Sequence, residues 1–478
     1  MERYVVSAEC PSCGAPLDFN EGSNSVQCMS CRSNLLVTGR KQVLSYYFGP
    51  KIDEKTAAAI SLAAHKEMRP GTCRIDKAGL YFVPYYRLTG HEFRWDRAEQ
   101  KPDQDGDNFI SIVIRGEVFS DALFDAGGNS PNMTVNPLLF SESGSFVHTG
   151  SQDIQINNRY VEKNFIACNL SGLTFYSLGL RPTVIKLKMF HKEDMAQLGN
   201  IATTDLSPEK ALSRMMMVDR ERLVYRTVLD QILSLVYSPY WVVEMSCLKE
   251  KMLVMLDAVS GSVIKPDAPI SIYDALNRDG GGLQKTTGFR ALVCPNCGWD
   301  LPAAPDSVIF FCSSCSRAWQ IFGSDFNEIT YEIAQVPGEN IQENSRYLPF
   351  WILQTGCTGD TPFRFFLPAF RCRRLQFLSD LAAIYTKAQP TYTVLEGGKL
   401  DAGSGSFYGC CYDQEDAALF SHFVFEGLKA KQPVFARSLK GDIFTFEDVR
   451  LVWFPFAVSG PSITDPFTGF STSLEFIT

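Results

Sequence analysis

The sequence has few histidines and lacks the common catalytic motifs. Only five histidines occur among 478 residues, and none belongs to a metalloenzyme pattern such as His-x-x-x-His. The glycine run at 280–282 is not followed by the Lys-Ser/Thr pair of a phosphate-binding loop. These absences predict a protein that is not an enzyme.

Long apolar runs and an excess of basic residues are also missing. No stretch reaches the roughly 18 uncharged apolar residues of a membrane span, and residues 1–6 lack the apolar segment of a secretory signal. The net charge is −8, which gives no general attraction to nucleic acid or to an anionic membrane surface. We therefore expect a cytoplasmic protein with no membrane span, whose partners are proteins rather than nucleic acid.

Cysteine, by contrast, is plentiful, and eight of the fifteen cysteines form two copies of one pattern. The first copy consists of Cys10, Cys13, Cys28 and Cys31, and the second of Cys294, Cys297, Cys312 and Cys315. In each copy fourteen residues separate two Cys-x-x-Cys turns, here called knuckles, and the copies are 284 positions apart. Two knuckles can bring four thiolates to one ion, and zinc accepts this closed tetrahedral shell in structural sites. We therefore predict two bound zinc ions.

The residues around the knuckles also agree between the copies. Gly14 and Gly298 follow the first knuckles, where the backbone has to turn sharply. Residues 8–39 and 292–323 resemble the zinc-ribbon superfamily of rubredoxin-like, transcription-factor type, and the remainder of the chain is not recognised. The resemblance implies a small three-stranded ribbon with a structural zinc, but no substrate or partner. Rubredoxins bind iron with the same four sulfurs, although Arg32 and Ser316 stand where rubredoxins usually have glycine.

The rest of the sequence predicts a β-rich α+β fold with few helices. Short apolar stretches separated by Gly, Asn, Pro and Ser are typical of a β-sandwich-like or curled-sheet domain. Strands with a proline beside aromatic residues occur in both halves, so a tandem duplication of ribbon plus β-rich domain is the simplest account. The predicted units are zinc ribbon A (1–40), β-rich domain A (41–276) with a helical segment at 207–236, a linker (277–288), zinc ribbon B (289–323) and β-rich domain B (324–478).

Two details of this duplication stay open in the sequence. Either 347–356 or 366–371 could correspond to the proline-containing strand at 81–90, because both repeat its pattern of aromatic residues around a proline. The first copy is also longer than the second, which indicates an insertion around residues 95–160.

The other cysteines give weaker signals. Cys410 and Cys411, with Asp413 and His422, are the best candidates for a nucleophilic site, because a reactive thiol needs a nearby base and a lowered pKa. Buried strand cysteines are commoner, and the same interpretation applies to Cys73, Cys247 and the remaining thiols.

These observations favour a non-enzymatic scaffold or adaptor that mediates protein–protein interactions in a cytoplasmic assembly, with the ribbons as rigid knobs on two β-rich bodies. Aromatic residues dominate interface hot spots, so Trp299 and Trp319 are candidate contacts, although both could instead pack ribbon B onto its own domain. Arg371, Arg373 and Arg374 form the densest basic cluster and are candidates for binding a partner or an anion; a solvated strand face is the simpler interpretation.

Two alternative functions are kept. The first is rubredoxin-like electron transfer through iron. The second is nucleic-acid binding, which requires clustered Lys and Arg. Ribbon A has three acidic residues against Arg32, and ribbon B balances two arginines with two aspartates, so charge disfavours this second alternative.

Overall fold

The computed structural model describes residues 3–68, 72–97, 154–168, 170, 185–216, 223–247, 250–277, 288–337, 345–355, 363–395, 407–431 and 446–477. These residues form 24 strands and six α-helices, which confirms the expectation of a β-rich α+β fold with few helices. None of the described helices is long and apolar enough to cross a membrane. Most of the expected linker at 277–288 and of the expected insertion at 95–160 lies outside the described residues.

The elements of the first half alternate between strands and short helices. They are β1 (Val5–Glu9), β2 (Pro16–Asn20), β3 (Ser25–Gln27), β4 (Asn34–Val37), β5 (Leu44–Phe48), α1 (Glu54–Met68), β6 (Cys73–Arg97), β7 (Ile154–Ile156), β8 (Arg159–Ile166), β9 (Leu187–Met189), α2 (Lys192–Leu198), β10 (Asn200–Ile201), α3 (Pro208–Met215), β11 (Leu223–Cys247), β12 (Glu250–Asp257), β13 (Val263–Ala268) and α4 (Ile272–Leu276).

The second half has the same mixture in fewer elements. They are β14 (Phe289–Ala291), β15 (Ile309–Phe311), β16 (Ala318–Phe322), β17 (Asp325–Ile329), β18 (Tyr331–Gln335), β19 (Ser345–Thr355), β20 (Arg364–Pro368), α5 (Leu375–Ala388), β21 (Thr393–Val394), α6 (Gln414–Lys431), β22 (Phe446–Ser459), β23 (Ser462–Thr464), β24 (Ser471–Ser473) and a 3-10 turn, Leu474–Phe476.

The first half is built around two 25-residue strands, β6 and β11, which pair antiparallel. Strand β8 pairs antiparallel with β6, and β5 pairs parallel with β11 on its other side. Beyond β5 the sheet continues through β9 to β1 and β2. Because β1 and β2 flank the first knuckle, this sheet fixes one end of the first cysteine cluster.

The sheet of the first half is buried on both faces. Successive side chains of a strand point to opposite faces, and the aromatic residues follow this rule. Tyr81 and Val236 face a core that includes apolar residues of the N-terminal ribbon, whereas Phe82 and Tyr237 face a core beneath α1, α2 and α3. Two-sided burial explains why the middle parts of these strands are largely apolar on both faces rather than alternating.

The prediction of a helical segment at 207–236 is correct for its first two turns and wrong beyond them. Helix α3 ends at Met215, and Leu223–Cys247 is strand β11. The start of the helix is as expected, since the Ser207 side chain accepts a hydrogen bond from the backbone N–H of Lys210 and proline follows at the first helical position. Residues 223–236 favour a strand because β-branched and aromatic side chains pack well on a pleated surface. Pairing with β6 therefore overrides the helical spacing of their apolar residues.

The second half repeats the strand order of the first. Its sheet runs β20–β19–β22–β18–β21, and the corresponding path in the first half is β8–β6–β11–β5–β9. Every pairing agrees in direction, including the parallel pairing of β18 with β22 that corresponds to β5 with β11. In both halves the last long strand is followed by two antiparallel strands, β12–β13 and β23–β24.

The prolines of the long strands occupy matching registers in the two halves. Pro84 of β6 lies opposite Tyr237, two residues before Pro239 of β11. Pro349 of β19 likewise lies opposite Trp453, two residues before Pro455 of β22. Strand β19 therefore corresponds to the early proline-containing strand, and residues 366–371, which begin within β20, do not.

The two halves are joined by the far ends of β6 and β11, which reach into the second half. Trp95 of β6 stacks on Phe423 of α6 with ring centroids 5.1 Å apart, and its indole N–H donates to the Phe423 carbonyl at 2.9 Å. Gly427, one turn further along α6, faces the same ring. A Cβ added to Gly427 would lie 2.2 Å from Trp95 Cζ2, so close approach explains a glycine inside a helix.

Candidate metal centres

The four knuckles share one backbone geometry. In each knuckle, the backbone N–H of the residue after the second cysteine donates to the carbonyl of the first cysteine: Gly14 donates to Cys10 and Gly298 to Cys294, both at 2.8 Å. Arg32 and Ser316 make the same contact in the second knuckles, at 2.9 and 2.8 Å. All four donors have positive φ, between 59° and 74°. Arg32 and Ser316 thus adopt a left-handed conformation that costs a non-glycine residue about 1–2 kcal/mol.

The sulfur atoms are arranged as a tetrahedral ion requires. In the first cluster the Sγ–Sγ distances are 3.8 Å for Cys10–Cys31 and for Cys13–Cys28. In the second they are 3.6 Å for Cys294–Cys315 and 3.5 Å for Cys297–Cys312. All four sulfurs of each cluster lie within 4.8 Å of one another. A zinc ion with Zn–S bonds of about 2.3 Å would separate its sulfurs by about 3.8 Å, so both clusters fit a four-sulfur metal.

Hydrogen bonds favour the thiolate form at one position of each cluster. Hydrogen bonds from the Ser33 hydroxyl and backbone lower the pKa of Cys31 to about 6. At the equivalent Cys315, burial raises the pKa, but the Arg317 backbone N–H and the Asn296 side chain lower it to about 6 overall. A metal-binding cysteine has to be deprotonated. The lowered pKa values of Cys31 and Cys315 therefore favour metal binding at both clusters.

The two cysteine clusters lie in ribbons that share a sheet. Strand β14, which leads into the second cluster, pairs antiparallel with β4 of the first ribbon, and Leu292 N–H donates to the Asn34 carbonyl at 2.9 Å. The Asn34 side chain donates to the Leu301 carbonyl, and Asn24 N–H donates to the Pro305 carbonyl. The expectation of two separate knobs is wrong, because the edge of β4 is completed by the other ribbon.

The ribbons differ in how they complete their sheets. In ribbon B the outer edge of β16 is covered by β17, its own hairpin partner. The equivalent edge in ribbon A, β4, is covered by β14 of ribbon B. Ribbon A therefore depends on ribbon B for a strand, whereas the described sheet β15–β16–β17 is made from ribbon B and the residues that directly follow it.

Of the two candidate tryptophans, only Trp299 is on the surface. Trp299 is 58% exposed, beside the first knuckle of ribbon B. Trp319 is 7% exposed and packs in a cluster with Leu36 of ribbon A and Leu292 of ribbon B. Its assignment as a partner contact is corrected: alternation along β16 points it inward, and it holds the ribbons together.

Of the three arginines in the predicted basic cluster, one is mostly buried and two are exposed. Arg371 is mostly buried and forms an ion pair with Asp306, which also accepts from Arg3 at 2.8 Å. This places Arg371 in the junction between ribbon B and the body, not on a partner-binding face. Arg373 and Arg374 are exposed; the Arg373 N–H donates to the Phe476 carbonyl at 2.8 Å, and Arg374 precedes α5.

The candidate nucleophiles lie in the core. Cys410 and Cys411 are both buried, and burial raises the pKa of Cys411 to about 12 and that of Cys410 well above its usual value. The Asp413 carboxylate is used elsewhere, since it caps α6 by accepting from the N–H groups of Glu415 and Asp416 at 3.0 Å. Buried, protonated thiols are poor nucleophiles. This agrees with the interpretation of Cys410 and Cys411 as core cysteines.

Sequence reasoning missed a disulfide. Cys73 and Cys247 were expected to be core thiols, but they form a disulfide with Cα atoms 4.3 Å apart. The two cysteines lie 174 positions apart and become neighbours only because β6 and β11 pair along their whole length, with three register shifts on the way. No local spacing could have indicated this pair.

The chain matches no protein-family model, no curated protein and no solved structure. The interpretation of both metal centres therefore rests on their geometry.

The packing of the two halves against each other can be tested at a buried histidine in their junction. His91 Nδ1 lies 2.8 Å from the Tyr412 hydroxyl, and burial lowers the pKa of His91 from 6.5 to about 4, with Asp230 opposing and Arg371 reinforcing that shift. The neutral ring favours folding above pH 6.5, and this contribution is lost as pH falls toward 4, because only the unfolded chain takes up the proton.

We expect His91→Gln to flatten the pH dependence of stability. Between pH 7.5 and pH 5 the wild-type free energy of unfolding should fall by about 2 kcal/mol more than that of the variant. Urea unfolding at both pH values measures this difference. His191→Gln, at an exposed position, is the matched control and should follow the wild type. Equal slopes for wild type and His91→Gln would contradict the packing at this junction.

Proposed function

We propose that the chain is a tandem duplication, in which a zinc ribbon and a curled-sheet domain occur twice. The matching strand orders and proline registers support this proposal, and so does a shared hydrogen bond. The Pro84 carbonyl accepts from Ala167 at 2.9 Å, and the Pro349 carbonyl accepts from Ala369 at 2.8 Å. The residues two positions after these prolines also behave alike, since Tyr86 Oη donates to the Leu206 carbonyl and Trp351 Nε1 to the Tyr412 carbonyl.

We further propose that both centres hold zinc and that the protein is a non-enzymatic scaffold or adaptor in a cytoplasmic assembly. One observation carries the proposal. Of the four most exposed large apolar side chains in the described chain, three lie on the ribbons: Met29 (74%), Phe322 (63%) and Trp299 (58%). Met29 follows Cys28 directly, and Trp299 lies two residues after Cys297. A closed metal shell makes these turns rigid, and rigid apolar side chains lose little entropy when a partner covers them.

The charges of ribbon B favour a protein partner over nucleic acid. Arg290 pairs with Asp325 at 3.2 Å, and Arg317 pairs with Glu328 at 2.9 Å. Arginines already paired with carboxylates contribute little to phosphate binding, which depends on free cationic charge.

The test is replacement of the exposed ribbon side chains. A tagged chain carrying Met29→Ser, Trp299→Ser and Phe322→Ser should recover at least tenfold less of its partner from native cells, because buried aromatic anchors carry most of an interface's energy. Quantitative mass spectrometry of the purified material measures recovery, and the metal content of the variant should stay at two ions per chain.

The matched control removes exposed apolar side chains elsewhere. Ile270→Ser and Val394→Ser lie outside the ribbons and are also exposed, so this variant should retain the partner. Undiminished recovery with the ribbon variant would contradict the proposal. If no partner is recovered with the wild type, the visible spectrum of the purified protein tests the iron alternative. Rubredoxin-like bands indicate iron, whereas a colourless protein with two zinc ions excludes electron transfer.

A further inference from the structure

A third group of metal-ligating side chains lies far from both ribbons in sequence, at the end of the β6–β11 ladder. Cys73 begins β6, Cys247 ends β11, and the two are direct cross-strand partners. His65, near the end of α1, places a ring nitrogen within 4.8 Å of both sulfurs. A helix and two strands thus bring three ligand atoms together.

His65 is built into this group without another visible role. It is only 4% exposed, and its Nδ1 has no hydrogen-bond partner among the described residues. A buried polar atom left without a partner is costly, and such atoms in folded proteins call for an explanation. A ligand between the imidazole and the two sulfurs supplies one.

A fourth soft donor lies beside the pair. Met252, on β12, is buried, and its Sδ is 3.5 Å from Cys247 Sγ. The surrounding core contains Met245 and Val254, so the site is lined by apolar groups. The candidate donors are one imidazole, two cysteine sulfurs and one thioether.

We propose that His65, Cys73, Cys247 and Met252 form a binding site for one copper(I) ion when the Cys73–Cys247 disulfide is reduced. Thiolate and thioether ligands select copper(I), whereas zinc sites use nitrogen, oxygen and thiolate donors. The thioether therefore distinguishes this site from the two four-cysteine centres. The disulfide acts as a gate, because oxidised sulfurs cannot serve as thiolate ligands.

The gating reaction balances with a dithiol as reductant. The dithiol gives two electrons and two protons to the Cys73–Cys247 bond, and it becomes a disulfide itself. Each of the two cysteine thiols then releases one proton when copper(I) binds to the four donor atoms. Copper keeps its oxidation state throughout.

The experiment uses the full chain loaded with two zinc ions. The chain is reduced with dithiothreitol, freed of reductant under nitrogen and equilibrated with copper(I) buffered by bathocuproine disulfonate. We expect one copper per wild-type chain with both zinc ions retained, and less than a tenth of that in the unreduced chain. Cys73→Ser with Cys247→Ser should abolish the bound copper, and Met252→Leu should weaken its binding about tenfold.

Controls separate this site from the ribbons and from misfolding. Cys168→Ser removes a buried thiol outside all three groups and should bind copper as the wild type does. Met252→Leu conserves volume, which usually leaves the fold intact, so its weaker binding reports the thioether. Copper uptake with equal loss of zinc, equal uptake by the double serine variant, or unchanged affinity in Met252→Leu would overturn the proposal.

Discussion

Replacing Cys312 by serine should increase the hydrogen exchange of backbone amides in both ribbons, whereas replacing Cys28 should increase it only in ribbon A. Each variant loses one ligand of a four-sulfur site, and we expect the metal content to fall from two ions per chain to one. Metal binding supplies folding free energy on the order of 10 kcal/mol in zinc-finger peptides, so the affected ribbon should unfold locally.

The asymmetry follows from strand pairing. Loss of the second site releases β14, which pairs with β4 of ribbon A. Loss of the first site leaves β15, β16 and β17 paired with one another. Hydrogen exchange across both ribbons measures the difference, and elemental analysis gives the metal content. Cys168→Ser should retain both ions and full protection. Equal protection of ribbon A in the two ligand variants would contradict the shared sheet.

Trp95→Ala should be the most destabilising substitution in the junction between the halves. Trp95 is buried against α6, where it stacks on Phe423 and faces Gly427. Removing a buried tryptophan costs about 3–5 kcal/mol through lost burial and the cavity that remains. The Phe423 carbonyl also loses its donor.

Urea unfolding followed by circular dichroism measures the change in the free energy of unfolding. Trp299→Ala is the matched control, because it removes the same side chain from an exposed position and should change stability by about 0.5 kcal/mol or less. Gly427→Ala tests the same contact from α6 and should also destabilise the junction. If Trp95→Ala and Trp299→Ala have equal effects, the described junction is wrong.

The sequence predicts the local features of this protein well. Cysteine spacing identifies both four-cysteine clusters that could hold a metal ion, because a Cys-x-x-Cys turn is a local structure whose cysteines are close in sequence. The start of α3 at Ser207-Pro208 is predicted for the same reason, since a capping side chain acts within one turn.

Features that depend on distant pairing could not be predicted. The apolar spacing at 223–236 fits a helix, and only the antiparallel pairing with β6 makes this segment a strand. The burial of Trp319 depends on Leu36 from the other ribbon, and the Cys73–Cys247 bond depends on the register of β6 against β11. Each outcome is determined by residues far away in the sequence, beyond the reach of local patterns.

The pairing of β14 with β4 of ribbon A has a consequence for biosynthesis. The edge of β4 is covered only when Phe289–Ala291 has been made, about 250 residues after β4 itself. At ordinary elongation rates of about 5–20 residues per second, the N-terminal ribbon leaves the ribosome roughly 12–50 seconds before its last strand exists. Throughout that interval the edge of β4 is unpaired, so an ion that binds the first cysteine cluster during translation binds it without β14.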